Sequence, residues 1–183
     1  MVRTALAVLV LALIPVAAFS ADTKSKLTRE YDLKAAFLFN FAQFVEWPAD
    51  AFSDEKAPFV IGVLGEDPFG KSLEEIVANE TVRDRKIVVR HCRTVREAAV
   101  CHILFISRSE ESRLNDILAF LDGKSVLTVG ETDEFSKRGG MIGFAVAQNR
   151  LQVKINVVAA KTANLTISSK LLRQAEIVDA QPR

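Results

Sequence analysis

The sequence is poor in reactive side chains and has no excess charge of either sign. Its 183 residues include two cysteines, two histidines, one tryptophan and one tyrosine, with 24 basic against 23 acidic side chains. A chain without a basic excess offers no long-range attraction to nucleic acid or to an acidic membrane face, so nucleic-acid binding is set aside. There are no paired carboxylates, no Ser/His/Asp arrangement and no metal motif with convincing ligand spacing, which argues against an enzyme. No internal repeat, low-complexity tract or second domain boundary divides the chain. No apolar run reaches the roughly 20 residues that a helix needs to cross about 30 Å of hydrocarbon.

What is there begins with a leader-like start. Arg3 is followed by an uncharged stretch from Thr4 to Ala21, apolar from Ala5 to Ile14, broken by Pro15 and closed by small residues at Ala17, Ala18 and Ser20. That layout is a secretory signal cleaved near Ser20. No cysteine follows the apolar run, so a lipid anchor is not expected. The expected organisation is a signal peptide over residues 1–20 and a single soluble, exported domain over 21–183. Arg3 leaves with the leader, so the remaining charges balance.

From Thr28 to Glu46 the spacing of Leu33, Phe37, Phe41 and Phe44 predicts one long helix. Ala35, Leu38, Phe39 and Ala42 fill its other side, so most of its circumference should be covered. Trp47-Pro48 ends it, because a residue before proline is pushed out of the helical region. An α/β alternation follows. Strands are expected at Phe59–Leu64, Lys86–Cys92, His102–Ser107 and Ser125–Gly130, and helices at Pro68–Asn79, Val95–Val100 and Ser109–Leu121. Unbroken apolar strands between helical segments indicate a mostly parallel sheet covered on both faces. Met141–Gln148 and Leu151–Val158 read as a C-terminal β-hairpin turning at Asn149-Arg150, with Gly139-Gly140 as the turn leading in. A last helix is expected near Ser168–Glu176, and Asn156 and Ser168 are suited to cap the helices that follow them.

Three features bear on chemistry. Gly65-Glu66-Asp67-Pro68-Phe69-Gly70-Lys71-Ser72 fits the P-loop pattern between a strand and a helix. A phosphate cradle needs free backbone N–H groups in an electropositive nest. Glu66 and Asp67 would instead face the phosphates with carboxylates, and Pro68 removes a donor. The plainer reading is a turn, with Asp67 capping a helix that starts at Pro68. His91-Cys92 and Cys101-His102 supply four zinc-type ligands, but adjacent residues on a strand point to opposite faces and cannot easily share a metal. No cofactor and no metal are expected. The two cysteines of an exported protein read as one disulfide, Cys92–Cys101. A helical crossover between them would separate the ends, since two turns cover about 11 Å and bridged Cα atoms sit within about 7 Å. The bond therefore requires a distorted or non-helical crossover.

Aromatic crowding is the third feature, with eight of the 14 aromatic residues between Tyr31 and Phe59. Most of these suit a core helix packed on the sheet. At the helix exit, Phe44, Glu46 and Trp47 form a candidate partner-binding surface, where an aromatic can anchor another protein.

Several segments taken in order resemble the YfiR-like family of small periplasmic proteins. They are Lys34 to Phe41 continuing to Phe44-Val45-Glu46-Trp47-Pro48, Val63 to Gly70, Cys101 to Ile106, Val126 to Gly130, Gly139 to Ile142, Ile155-Asn156, and Ser168 to Leu172. The resemblance spans roughly Tyr31 to Val178. It implies a three-layer α/β sandwich and a non-enzymatic role in the periplasm. The best-understood members bind the periplasmic part of an inner-membrane diguanylate cyclase and hold it inactive, lowering cyclic-di-GMP and biofilm formation. An outer-membrane-associated lipoprotein can draw the repressor away. The family's turn also accounts for the P-loop-like stretch. Family members often carry a cysteine in the first sheet strand, where this chain has Val63, so Cys92 would be a new partner for Cys101. The alternative to a protein-binding regulator is a small-molecule-binding module, with a ligand beyond the carboxyl ends of the strands near Gly65, Ser107 and Gly130.

Overall fold

A computed structural model describes residues 17–179, with side chains from Lys26 onward. The expected leader lies outside the described residues over positions 1–16; Ala17–Ser20 form backbone of the first helix.

That helix, α1, spans Ala17–Phe44 and leads into a two-residue strand, β1 (Val45–Glu46). Strand β2 (Phe59–Leu64), helix α2 (Ser72–Val77), strands β3 (Thr81–Val82) and β4 (Arg85–Cys92), and the one-turn helix α3 (Val95–Ala98) follow. Next come β5 (Ile103–Ile106), a 3₁₀ segment Arg108–Arg113, α4 (Leu114–Leu121) and β6 (Leu127–Gly130). The chain continues through β7 (Ile142–Ala147), β8 (Arg150–Ile155), α5 (Val157–Thr162), β9 (Thr166–Ile167), α6 (Ser169–Leu172) and β10 (Glu176–Ile177).

Eight strands form one sheet in the order β10-β8-β7-β6-β5-β2-β4-β3, and β1 pairs with β9 in a separate two-stranded sheet. Strands β2, β5 and β6 are parallel neighbours and every one of their residues is buried. This explains their unbroken apolar sequence: a strand covered on both faces has no solvated side to make polar. Alternation along β2 sends Phe59, Ile61 and Val63 to one face, where they meet Leu38, Phe41 and Ala42 of α1. Val60 and Leu64 go to the other face, against Leu114, Ile117, Leu118 and Leu121 of α4. Helix, sheet and helix thus make the expected three-layer α/β sandwich.

The buried stripe of α1 is rotated from the expected one. Ala35, Leu38, Phe41 and Ala42 have no exposure, Phe37 and Phe44 are half-buried, and Leu33 is 47 % exposed. The helix ends at Phe44 rather than Glu46, because Val45 and Glu46 pair antiparallel with Ile167 and Thr166. Between β7 and β8 the tight turn falls on Gln148-Asn149, one residue before the expected position, with φ of 50° and 61°. Two successive left-handed residues give the hairpin turn whose twist matches its strands. Helix α2 begins at Ser72 rather than Pro68. Asn156 caps α5 through Ala159 N–H, and Ser168 caps α6 through Leu171 N–H.

Candidate functional site

The exit of α1 is held by aromatic stacking. Trp47 is buried, its ring meets Phe59 edge-on at 4.9 Å, and its indole N–H donates to the His102 carbonyl at 3.1 Å. The His102 imidazole lies against both Phe52 and Phe59, at 4.4 and 4.8 Å. Its Nδ1 accepts from Val60 N–H, which makes the neutral ring a carrier of its proton on Nε2. Burial pulls its pKa down to about 4, and Arg85 pushes the same way. Of the three candidate contact residues, only Glu46 is largely exposed. Its side chain is 68 % accessible and sits 3.7 Å from Arg83, whereas Phe44 is half-buried and Trp47 belongs to the core.

The two cysteines do come together. Cys92 ends β4 and Cys101 precedes β5, and their buried Sγ atoms are 3.8 Å apart as free thiols. The crossover is short enough because α3 is a single turn. Thr94 and Glu97 stop it from drifting: Thr94 Oγ1 accepts from Glu97 N–H and Glu97 Oε2 accepts from Arg93 N–H, a capping box in all but the last position. Gly62 on the intervening strand makes room, since a Cβ there would lie 2.6 Å from Cys101 Sγ. The shared thiol hydrogen bond pulls Cys92 down in pKa and pushes Cys101 up, with burial adding to the rise at Cys101.

The P-loop-like stretch is a turn in which the amides of Glu66, Phe69 and Ser72 are already engaged. Glu66 N–H donates to Ser109 Oγ and Phe69 N–H donates to Asp67 Oδ1, so Asp67 caps this turn and not α2. Gly65 takes φ 90°, and a Cβ there would meet Ser109 Oγ at 2.4 Å. His91 and Cys92 point to opposite faces. His91 is exposed beside Asp67 and Glu74, at 3.7 and 3.8 Å, while Cys92 is buried under α3. His102 turns away from Cys101 into the aromatic stack. No group of three or more potential metal ligands occurs among the described residues.

A polar cluster that sequence reasoning missed lies at the carboxyl end of β6. Lys34, 3 % exposed on α1, donates to Glu131 at 2.5 Å and to Glu30 at 2.6 Å. The Tyr31 hydroxyl donates to the other Glu131 oxygen at 3.0 Å, and Arg108 donates to the Glu131 carbonyl at 2.9 Å. Burial and the Glu131 charge together raise the Tyr31 pKa. The available signal was a lysine inside a phenylalanine-rich helix and a glutamate directly after an apolar strand.

No curated protein matches the chain. Among solved structures it is similar to an ABC domain in complex with L-Trp from Streptococcus pneumonia, at 12 % identity and a TM-score of 0.47. That match covers 66 % of this chain and 55 % of the other, so this chain spans little more than half of that structure's length. The family described as DUF4154, YfiR/HmsC-like, matches residues 31–176, from the polar cluster on α1 to the first residue of β10. With that span covered, the chain belongs to the YfiR/HmsC-like family.

Proposed function

We propose that this protein is a periplasmic regulator that binds the periplasmic part of an inner-membrane diguanylate cyclase and represses it, lowering cyclic-di-GMP and biofilm formation. The observation that carries the reading is the family match over residues 31–176, which takes in both helical layers and nearly the whole sheet. The family is regulatory rather than catalytic. Export follows from the leader-like residues 1–20, with cleavage near Ser20. An outer-membrane lipoprotein is the proposed antagonist that draws the repressor away. Regulation of this kind needs only that the protein bind one state of the cyclase better than the other. The contact lies at the helix exit, through Glu46 and the accessible edge of Phe44. The free thiols of Cys92 and Cys101 close to a disulfide in the oxidising compartment, since a shift of about 2 Å brings 3.8 Å to bonding distance.

The test is cyclic-di-GMP in cells lacking the gene, beside cells complemented with the intact gene. A rise on deletion that complementation reverses is the expected result. No change under several growth conditions would sink the repressor reading.

A further inference from the structure

A cavity of about 780 Å³ opens beyond the carboxyl ends of β5 and β6, bounded by α1, the loop after Gly130 and β7. Its size lies within the roughly 300–1,000 Å³ of sites for small organic ligands. Its position is the crevice where open α/β sheets take ligands.

The wall itself indicates what fits. Much of the floor is engaged internally. Both carboxylate oxygens of Glu131 accept bonds, from Tyr31 and from Lys34, and the Lys34 ammonium also holds Glu30 and lies 4.4 Å from the Tyr31 ring centroid. Two groups of the same wall are not engaged in this way. Arg108 gives one N–H to the Glu131 carbonyl and pairs with no carboxylate among the described residues, which leaves most of a five-donor guanidinium unused. The Thr132 hydroxyl is buried, 3 % exposed as a residue, and has no hydrogen-bond partner. An unpaired buried hydroxyl is destabilising and is uncommon where nothing completes it. On the rim, Leu27 and Val146 are 52 % and 56 % exposed, two of the larger apolar side chains left in water.

We propose that this cavity binds a small carboxylate with an apolar body, the carboxylate on Arg108 and Thr132 and the body against Leu27 and Val146. A planar carboxylate matches the guanidinium fork and leaves one oxygen for the hydroxyl. An amine finds both Glu131 oxygens already bonded, and the other carboxylates toward the loop, Asp133 and Glu134, are exposed to water, where an ion pair is worth little. A phosphate dianion would bring a second charge beside Glu30 and Glu131. The Thr132 side chain must rotate toward the cavity to reach the ligand, a change of one χ1 angle at modest energy.

The site is testable without any cyclase, so its outcome is separate from the repressor reading. Calorimetric titration of the purified protein with phenylacetate and with hexanoate should give saturable binding of one molecule per chain. Phenylacetamide and phenethylamine should bind about tenfold more weakly or less. Arg108→Ala should lose about tenfold in affinity while the free protein melts as before, because Arg108 is exposed. Thr132→Val should weaken binding a few-fold without lowering the melting temperature of the free protein, since it removes an unpartnered hydroxyl. Neither carboxylate binding at millimolar concentration would overturn the proposal. So would phenethylamine binding as well as phenylacetate, or either variant binding as tightly as the parent.

Discussion

The indole N–H of Trp47 donates to the backbone carbonyl of His102 across 3.1 Å, and this single bond ties the exit of α1 to the start of β5. The residues are 55 apart in sequence, and both rings pack on Phe59. A side chain so placed determines the position of the chain around it. Trp47→Ala is expected to lower the unfolding free energy by about 3–5 kcal/mol, as for other large aromatics removed from a core. Trp47→Phe keeps the packing and loses one hydrogen bond, for about 0.5–1.5 kcal/mol, because the His102 carbonyl keeps its bond from Leu127 N–H at 2.8 Å. Urea unfolding of both variants checks the order.

Glu46 offers the contrasting case at the same helix exit. Its side chain is 68 % exposed with Arg83 at 3.7 Å, and such surface pairs are worth little. Glu46→Lys should change stability by no more than about 0.5 kcal/mol. In cells lacking the native gene it should fail to restore low cyclic-di-GMP. Full complementation by this variant would remove Glu46 from the proposed contact.

Lys34 and Glu131 are buried together, with side chains 4 % and 6 % exposed. Removing one leaves an uncompensated charge in a medium that solvates it poorly, so Lys34→Met should cost about 3–5 kcal/mol. Replacing both, Lys34→Met with Glu131→Gln, should recover much of that loss. A double variant as unstable as the single one would show that the packing, not the charge, is what the lysine supplies.

His102 makes stability depend on pH. Its folded pKa is about 4 against an ordinary value of 6.5, so between those values the unfolded chain binds the extra proton and the folded chain does not. Stability should therefore be full above about pH 6.5, fall as the pH drops toward 4, and level off below it on this group's account. His102→Gln, which keeps an acceptor for Val60 N–H, should flatten the fall. Urea midpoints measured across that window would decide, and an unchanged slope in the variant would exclude His102 as the cause.

The cysteine pair predicts an intramolecular reaction. With the sulfurs 3.8 Å apart, mild oxidation by diamide should remove both free thiols without forming dimers, as followed by thiol titration and non-reducing electrophoresis. Gly62→Ala should destabilise the fold by about 1–3 kcal/mol, because its methyl would lie 2.6 Å from Cys101 Sγ and the well-packed site must yield. If Gly62→Ala is neutral, the sulfur moves more easily than this packing implies.

Much of the architecture was legible because it is written locally. Continuous apolar runs marked β2, β5 and β6, and helical periodicity marked α1, since each signal needs only a handful of neighbouring residues. Asn156 and Ser168 were readable as caps for the same reason. The two-residue strands β1, β3, β9 and β10 were not, as two residues carry no period. Nor could periodicity choose which stripe of a nearly all-apolar helix faces the sheet, which left Leu33 outside and Lys34 inside. The cysteine geometry turned on the length of one helix, and a single turn instead of two brought the thiols together. Lys34 meets Glu131 across 97 positions, and Tyr31 meets it across 100. Neighbouring residues are enough to mark the longer strands and helices, through backbone sterics and burial pattern. Which buried polar groups meet is settled by the three-dimensional packing, because it depends on strand order and on how α1 lies over the sheet, and neither is encoded by neighbours in sequence.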